Sequence, residues 1–309
     1  MNKQLHLGIG GHRGYGCTDE DFYQDIRNPY TSPEENTLEG IKAGFQAGAD
    51  FVELDVVMSQ DDVVFLLHKV VPKYHFFEDK IPPSVLNHMD FADILKYKSG
   101  RKKLMSVTKL SEALTVVAEM DPHTLPWSLC IEIKGVQGTN QPYEENNFIE
   151  ALAETVKQSG FPEERILWSS FSLQNVIQIS HYFPKSSYSM LFTETDFFQK
   201  IYANKGVDFR YVELPFEKRF IDFVIKTWAE EANKETSLDY LHPEIMTITP
   251  EKMDYLYDLG LSMNSWAYKE KWNDPFINQY KKIIAYAREK NYNMNVITDF
   301  VDQMRLLKL

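Results

Sequence analysis

Three ionisable side chains, Glu53, Asp55 and His68, interrupt two apolar runs in FVELDVVMSQDDVVFLLH, residues 51 to 68. Successive side chains of a strand alternate faces, so Glu53 and Asp55 point one way while Val52, Leu54 and Val56 point the other. A parallel neighbour needs a crossover of roughly a dozen residues, more than separates the two runs, and a hairpin is therefore predicted. With the tight turn at Ser59-Gln60-Asp61-Asp62, Glu53 falls opposite His68, and directly opposed residues share a face. Two carboxylates about 4 Å apart repel by about 4 kcal/mol at an effective dielectric near 20, so such a cluster is protonated, hydrated or neutralised by a cation. A divalent metal does this most simply. A solvated strand face at a sheet edge is the alternative for an isolated E-x-D.

Two further stretches carry chemistry. The first apolar run of the chain ends in Gly10-Gly11-His12-Arg13-Gly14. Glycines on both sides allow a tight turn and close approach of a ligand, His12 exchanges a proton near neutral pH, and Arg13 can fork onto phosphate or carboxylate oxygens. The run SLCIEIK ends with Glu132 and Lys134, again two apart and so on one face. That adds a third carboxylate and a second cation, although Lys134 could simply neutralise Glu132.

These residues need a frame. Periodicity predicts strands near 5 to 11, 51 to 57, 63 to 68, 128 to 134, 165 to 171, 187 to 192, 210 to 214 (RYVEL), 261 to 267 and 294 to 298. Helical patterns over 38 to 47, 109 to 119, 147 to 158, 172 to 182, 216 to 232, 250 to 259 and 274 to 290 lie between most of them. Without the return arm of the hairpin, strands and helices alternate as in an α/β protein, and 309 residues suit a single closed (β/α)8 TIM barrel covering the whole chain, 1–309. The stretch LHPEIMTI, 241 to 248, competes with RYVEL for one stave. Residues 69 to about 108 hold three prolines and no clear strand and are predicted to form a small inserted subdomain. A long irregular piece, 15 to 33, separates the first strand from the first helix.

Composition narrows the function classes. A formal charge of -12 without a basic run argues against nucleic acid and anionic membrane surfaces as partners. Two cysteines, Cys17 and Cys130, lie far apart without CxxC spacing, which argues against a disulfide scaffold or zinc-thiolate site. The opening MNKQLHLGIGGHRG has too short an apolar run for a signal peptide, and no segment is long and apolar enough for membrane insertion. Cytoplasmic residence is the resulting expectation.

HRG after the first strand, Glu35-Asn36-Thr37 opening the first helix, E-L-D on the second strand, the hairpin histidine and IEIK together resemble the glycerophosphodiester phosphodiesterase family. The resemblance runs through most of the chain and takes in Ser170-Phe171, Trp266 and Ile297-Thr298-Asp299. It implies a barrel of the phospholipase C-like type that hydrolyses glycerophosphodiesters, such as glycerophosphocholine or glycerophosphoethanolamine, to glycerol 3-phosphate and an alcohol. By the same resemblance Glu53, Asp55 and Glu132 hold one divalent cation, His12 and His68 are acid and base, and Arg13, Lys134 and Trp266 bind substrate. Oxygen-only ligands independently suit a hard ion such as Mg²⁺ or Ca²⁺. Lysophospholipase D or sphingomyelinase D-like activity on a lipid, and a barrel that binds a phosphorylated ligand without turnover, are the competing readings. The chain departs from the family pattern at Lys69, where aspartate usually follows the histidine, at Glu34 in place of proline, and at Trp266-Ala267-Tyr268-Lys269 in place of tryptophan, threonine, any residue, asparagine. His75, His88 and His242 are expected to be loop histidines rather than ligands.

Overall fold

The computed structural model describes residues 7–16, 33–68, 89–95, 107–134, 147–202, 207–267, 270 and 272–307. Its strands are β1 (Leu7–Gly11), β2 (Phe51–Met58), β3 (Val64–Leu66), β4 (Leu129–Ile133), β5 (Ile166–Ser170), β6 (Ser187–Thr193), β7 (Leu214–Pro215), β8 (Tyr240–Pro243), β9 (Ser262–Ser265) and β10 (Met294–Thr298). The helices are α1 (Leu38–Gln46), α2 (Phe91–Ile94), α3 (Leu110–Met120), α4 (Phe148–Ser159), α5 (Leu173–Ser180), α6 (Thr195–Tyr202), α7 (Lys218–Glu231), α8 (Pro250–Asp258), α9 (Asp274–Lys290) and α10 (Val301–Leu306).

Local signals set these boundaries. Thr37 caps α1 by accepting from Gly40 N, and Asn273 caps α9, which has proline in its first turn and ends on Asn291 at φ 53. Gly160, at φ 70, closes α4 in the left-handed region that glycine enters without penalty. No helix among the described residues is long and apolar enough to cross a membrane.

Parallel pairing runs β1-β10-β9-β8-β6-β5-β4-β2, and β2 returns to β1 through Gly10 opposite Phe51 and Gly11 opposite Val52, which closes an eight-stranded parallel barrel with helices around it. Alternation along the staves divides the core. Val52, Leu54, Val56, Leu129, Ile131 and Ile133 face outward into one large cluster with the helices, while Phe51, Trp127, Cys130, Leu167 and Ile297 form a separate cluster inside the barrel. Gly10 is needed there, because a Cβ on it would sit 2.2 Å from the Phe51 ring.

Two expectations fail on residue counting. The run 210 to 214 does not supply a stave: Phe209–Tyr211 is a 3-10 turn and only Leu214–Pro215 pairs, beside the end of β6. The stave comes instead from β8, which pairs Ser189 to Phe192 of β6 with Tyr240 to Pro243. The hairpin is also offset by one residue, with Val56 opposite Leu66 and Met58 opposite Val64. Its turn spends an extra residue, for Ser59 N donates to Val63 O while Asp62 adopts φ 59. Most of the predicted subdomain at 69 to 108 lies outside the described residues, as do Lys69, His75, His88, Tyr268 and Lys269.

Candidate active site

The site lies at the carboxyl ends of β1, β2, β4 and β10, where the loops of a parallel barrel converge. Asp55 of β2 is in register with Glu132 of β4, and Glu53 stands two residues earlier on the same inward face. These three buried carboxylates offer oxygens that all lie within 4.8 Å of one another. Thus the predicted trio does converge, and the sheet-edge alternative fails because every member is buried.

Each carboxylate is held differently. Asp55 is the most fully paired. It receives Asn36 Nδ2 at Oδ2 (2.9 Å), returns its own N–H to Asn36 Oδ1 (3.1 Å), and lies 2.8 Å from Lys134 Nζ and 3.4 Å from Arg13 Nε. Burial opposes its charge, but Lys134, His68 and Arg13 prevail and hold its pKa well below the carboxylate range. Glu132 bonds the Lys134 ammonium, yet burial and the neighbouring Asp55 charge still raise its pKa. Glu53 takes Arg13 N at Oε2 (2.9 Å), while its buried Oε1 has no hydrogen-bond partner. Burial, then repulsion from Asp55, pushes Glu53 up to about 8.

That orphaned oxygen, and two carboxylates held above their ordinary pKa, mark an excess of negative charge that Lys134 and Arg13 leave uncompensated. A hard divalent ion fits this donor set, and Glu53, Asp55 and Glu132 are the residues that would hold it.

The cations are equally fixed. Arg13 sits at φ 50 in the turn after β1 and donates through Nη1 to both oxygens of Glu35, at 3.1 and 3.0 Å. The turn is compressed against α1. The Gly14 carbonyl lies where a Cβ on Gly11 or Gly44 would stand, at 1.9 and 2.0 Å. Lys134 bridges Asp55 and Glu132, so the neutralising role expected of it extends to two carboxylates.

The two histidines sit in contrasting surroundings. His12 Nδ1 is 2.7 Å from Asp299 Oδ1 at the end of β10. Burial and the Arg13 guanidinium disfavour its charged form, but Asp299 and Glu53 outweigh them and its pKa is raised. His68 has a buried Nδ1 without a hydrogen-bond partner, and burial followed by the charges of Arg13 and Lys134 drives its pKa well below 6.5. The predicted pairing of His68 with Glu53 is lost with the register: Val56 stands opposite Leu66, and Leu67 N donates to Asp55 O at 3.1 Å, so residue 67 rather than 68 follows the ladder beside Asp55.

Trp266 lies at the same mouth, half-buried, with Nε1 donating to Phe192 O (3.2 Å) and His242 O (3.1 Å) and its ring edge-on to Phe171 at 5.5 Å. His242 proves to be a buried stave residue rather than a loop histidine. Its Nε2 lies 2.6 Å from Asn264 Nδ2, and burial lowers its pKa to about 3.

Several contributors were not singled out by residue type. Asp299 was visible only inside a quoted tripeptide, and Asn36 only inside the helix-opening motif. Glu213, half-buried just before β7, is raised to about 7 by burial, with Lys134 opposing and Glu132 adding to the shift. Nothing in the sequence around it announces a site.

Comparison with known proteins agrees with this architecture. The model of the glycerophosphoryl diester phosphodiesterase family matches residues 12–303. No curated protein matches the sequence. Among solved structures, an Oleispira antarctica phosphodiesterase in complex with the product sn-glycerol-3-phosphate superposes with a TM-score of 0.66 at 16% identity, covering 97% of this chain and 96% of that one. A glycerophosphodiester phosphodiesterase from Parabacteroides distasonis gives 0.63 at 14% identity, with 98% and 97% covered. One from Thermotoga maritima gives 0.58 at 21% identity, with 98% of both chains covered. At these identities the structural likeness establishes the fold, and the family match spans nearly the whole chain. The chain belongs to the glycerophosphoryl diester phosphodiesterase family and is a phosphodiesterase.

Proposed function

We propose that this chain hydrolyses small glycerophosphodiesters, with glycerophosphocholine or glycerophosphoethanolamine as the type substrates, to glycerol 3-phosphate and the free alcohol, with one Mg²⁺ or Ca²⁺ held by Glu53, Asp55 and Glu132. The observation that carries this reading is the three-carboxylate cluster with the partnerless Glu53 Oε1, beside two imidazoles whose pKa values are driven apart.

Such an ion, when bound, supplies Lewis-acid polarisation of the phosphoryl oxygens. The protein's own groups do the rest. Lys134 and Arg13 are the cations placed to receive the non-bridging oxygens. His68, neutral at pH 7 because burial and two neighbouring cations depress its pKa, takes the proton from the attacking hydroxyl, which belongs to water or to the substrate's glycerol. As the new phosphorus–oxygen bond forms, the bond to the alcohol oxygen breaks. His12, kept protonated by Asp299, gives that oxygen its proton. Trp266, anchored by its indole N–H, presents an aromatic wall at the mouth for the glycerol or the alcohol.

The test is choline release from glycerophosphocholine by the purified chain with Mg²⁺ or Ca²⁺, before and after chelation, with lysophosphatidylcholine alongside. Ion-dependent cleavage of glycerophosphocholine is the expected result. Preference for the lipid moves the assignment to lysophospholipase D, and no cleavage across a broad diester panel with either ion overturns hydrolysis altogether.

A further inference from the structure

Behind the His12–Asp299 pair lies a second buried carboxylate, which no motif in the sequence marks. Glu270 follows β9 and is 4% exposed. It accepts four hydrogen-bonding contacts from three groups: Tyr280 Oη at 2.6 Å, Thr298 Oγ1 at 2.8 Å to one oxygen and 2.9 Å to the other, and Asp299 N at 2.6 Å. Thr298 Oγ1 in turn accepts Phe300 N at 3.0 Å, and the Trp272 and Phe300 rings pack at 5.7 Å, so the segment after β9 is fastened to the β10–α10 turn at two points.

The arrangement is costly for a mere strand-end cap. A hydroxyl or amide acceptor would satisfy the Asp299 N–H without burying a charge. Among the described residues no cation pairs with Glu270, and it stands next to Asp299. Burial, then the Asp299 charge, raises Glu270 to about 7. Buried carboxylates perturbed in this way gather at functional sites. What the carboxylate fixes is the peptide that carries Asp299, and Asp299 is what holds His12.

From this geometry we infer that Glu270 is a positioning residue for the reaction proposed above: by clamping the Thr298–Asp299 peptide from the α9 side, it aims Asp299 at His12 Nδ1. Glu270 touches neither substrate nor any reacting atom. It stands one residue beyond Trp266-Ala267-Tyr268-Lys269, where this chain departs from the family's tryptophan-threonine-any-asparagine pattern.

The experiment compares Glu270→Ala and Glu270→Gln with the unaltered full chain, using two readouts. The first is the imidazole Nδ1–H proton resonance of His12 by NMR, assigned through its loss in His12→Gln. The second is the split between kcat and KM for glycerophosphocholine with Mg²⁺. In Glu270→Ala the resonance is expected to broaden away, and kcat to fall about 10- to 100-fold with KM within threefold, the scale of a catalytic group displaced by a fraction of an ångström. Glu270→Gln keeps one acceptor oxygen for the Asp299 N–H and is expected to recover most of the loss. If Glu270→Ala is not recovered folded, Tyr280→Phe combined with Thr298→Val strips the hydroxyl donors and leaves the carboxylate in place. A several-fold kcat loss with a weakened resonance is then expected.

An unchanged resonance and unchanged kcat in the folded variant overturn the inference, as does a loss that follows only the unfolded fraction. The resonance does not require turnover. If the unaltered chain cleaves no diester yet Glu270→Ala abolishes the His12 signal, the clamp stands and the proposed function falls.

Discussion

His12 and His68 serve one cluster from opposite design principles. His12 is held at Nδ1 by Asp299, which is itself held through its backbone by Glu270, so three segments fix one ring. His68 follows a three-residue strand, and its buried Nδ1 has no partner. Burial and the Arg13 guanidinium press on both rings, with Lys134 adding at His68, yet one pKa rises and the other falls. What separates them is that Asp299, hydrogen-bonded at Nδ1, and Glu53 outweigh the opposing influences at His12, whereas Asp55 does not outweigh burial, Arg13 and Lys134 at His68. The pKa values of two imidazoles are thereby driven apart without any difference in residue type, which is what the proposed acid and base roles require.

The comparison breaks most directly at the rings. His12→Ala and His68→Ala should each lower kcat about 10²- to 10⁴-fold, the range for general acid or base catalysis. An unaffected rate for either variant removes that ring from the mechanism. Asp299→Ala is expected to cost about 10- to 100-fold in kcat on its own but almost nothing more in a His12→Ala background. A double-mutant cycle measures this, and full additivity would mean that Asp299 acts elsewhere. Among the described residues no hydrogen-bond partner stands behind His68 Nδ1.

The pH profile sharpens the contrast. In the proposed mechanism His68 works in its neutral form, so activity should be lost as pH falls through its lowered pKa, and His12 works in its charged form, so activity should be lost as pH rises through its raised pKa. A bell-shaped profile follows, with His68 setting the acid limb and His12 the alkaline limb. In Asp299→Ala, burial and Arg13 act on His12 unopposed by that carboxylate, and the alkaline limb should move to lower pH while the acid limb stays. Movement of the acid limb instead would exchange the two roles.

The smallest effect concerns the ion. With Glu53 at about 8 in the ion-free site, most molecules carry a proton there at pH 7. Binding of Mg²⁺ or Ca²⁺ should release about one proton, and affinity should rise by about tenfold per pH unit up to pH 8. Calorimetry in buffers of different ionisation enthalpy measures this directly. Release of no proton would show that Glu53 stays out of the ion's shell.

Much of the site was legible because strand alternation is a strict rule. Glu53 with Asp55, and Glu132 with Lys134, had to share faces wherever their strands lay. Counting across a turn was less secure, since the residue spent at Asp62 shifted the hairpin by one. The barrel itself was legible from alternation of element types, but the choice of stave was not. RYVEL has the better apolar run, whereas Tyr240–Pro243 carries a histidine and a proline that disguise a buried strand. Glu270 was illegible for a different reason. Its meaning comes from Tyr280, Thr298 and Asp299, brought to it by packing between the segments around β9, α9 and β10, and no local pattern encodes that meeting.

The closure of the first stave against the last has a consequence for how the enzyme comes into being. Its three clustered carboxylates belong to neighbouring strands and are all translated by residue 132, whereas His12 waits for a partner 287 positions downstream. Domains fold as synthesis proceeds from the amino end. Because a domain folds as a unit, the His12–Asp299 pair can form only once residue 299 has been made and the tenth strand has zipped the barrel shut against the first.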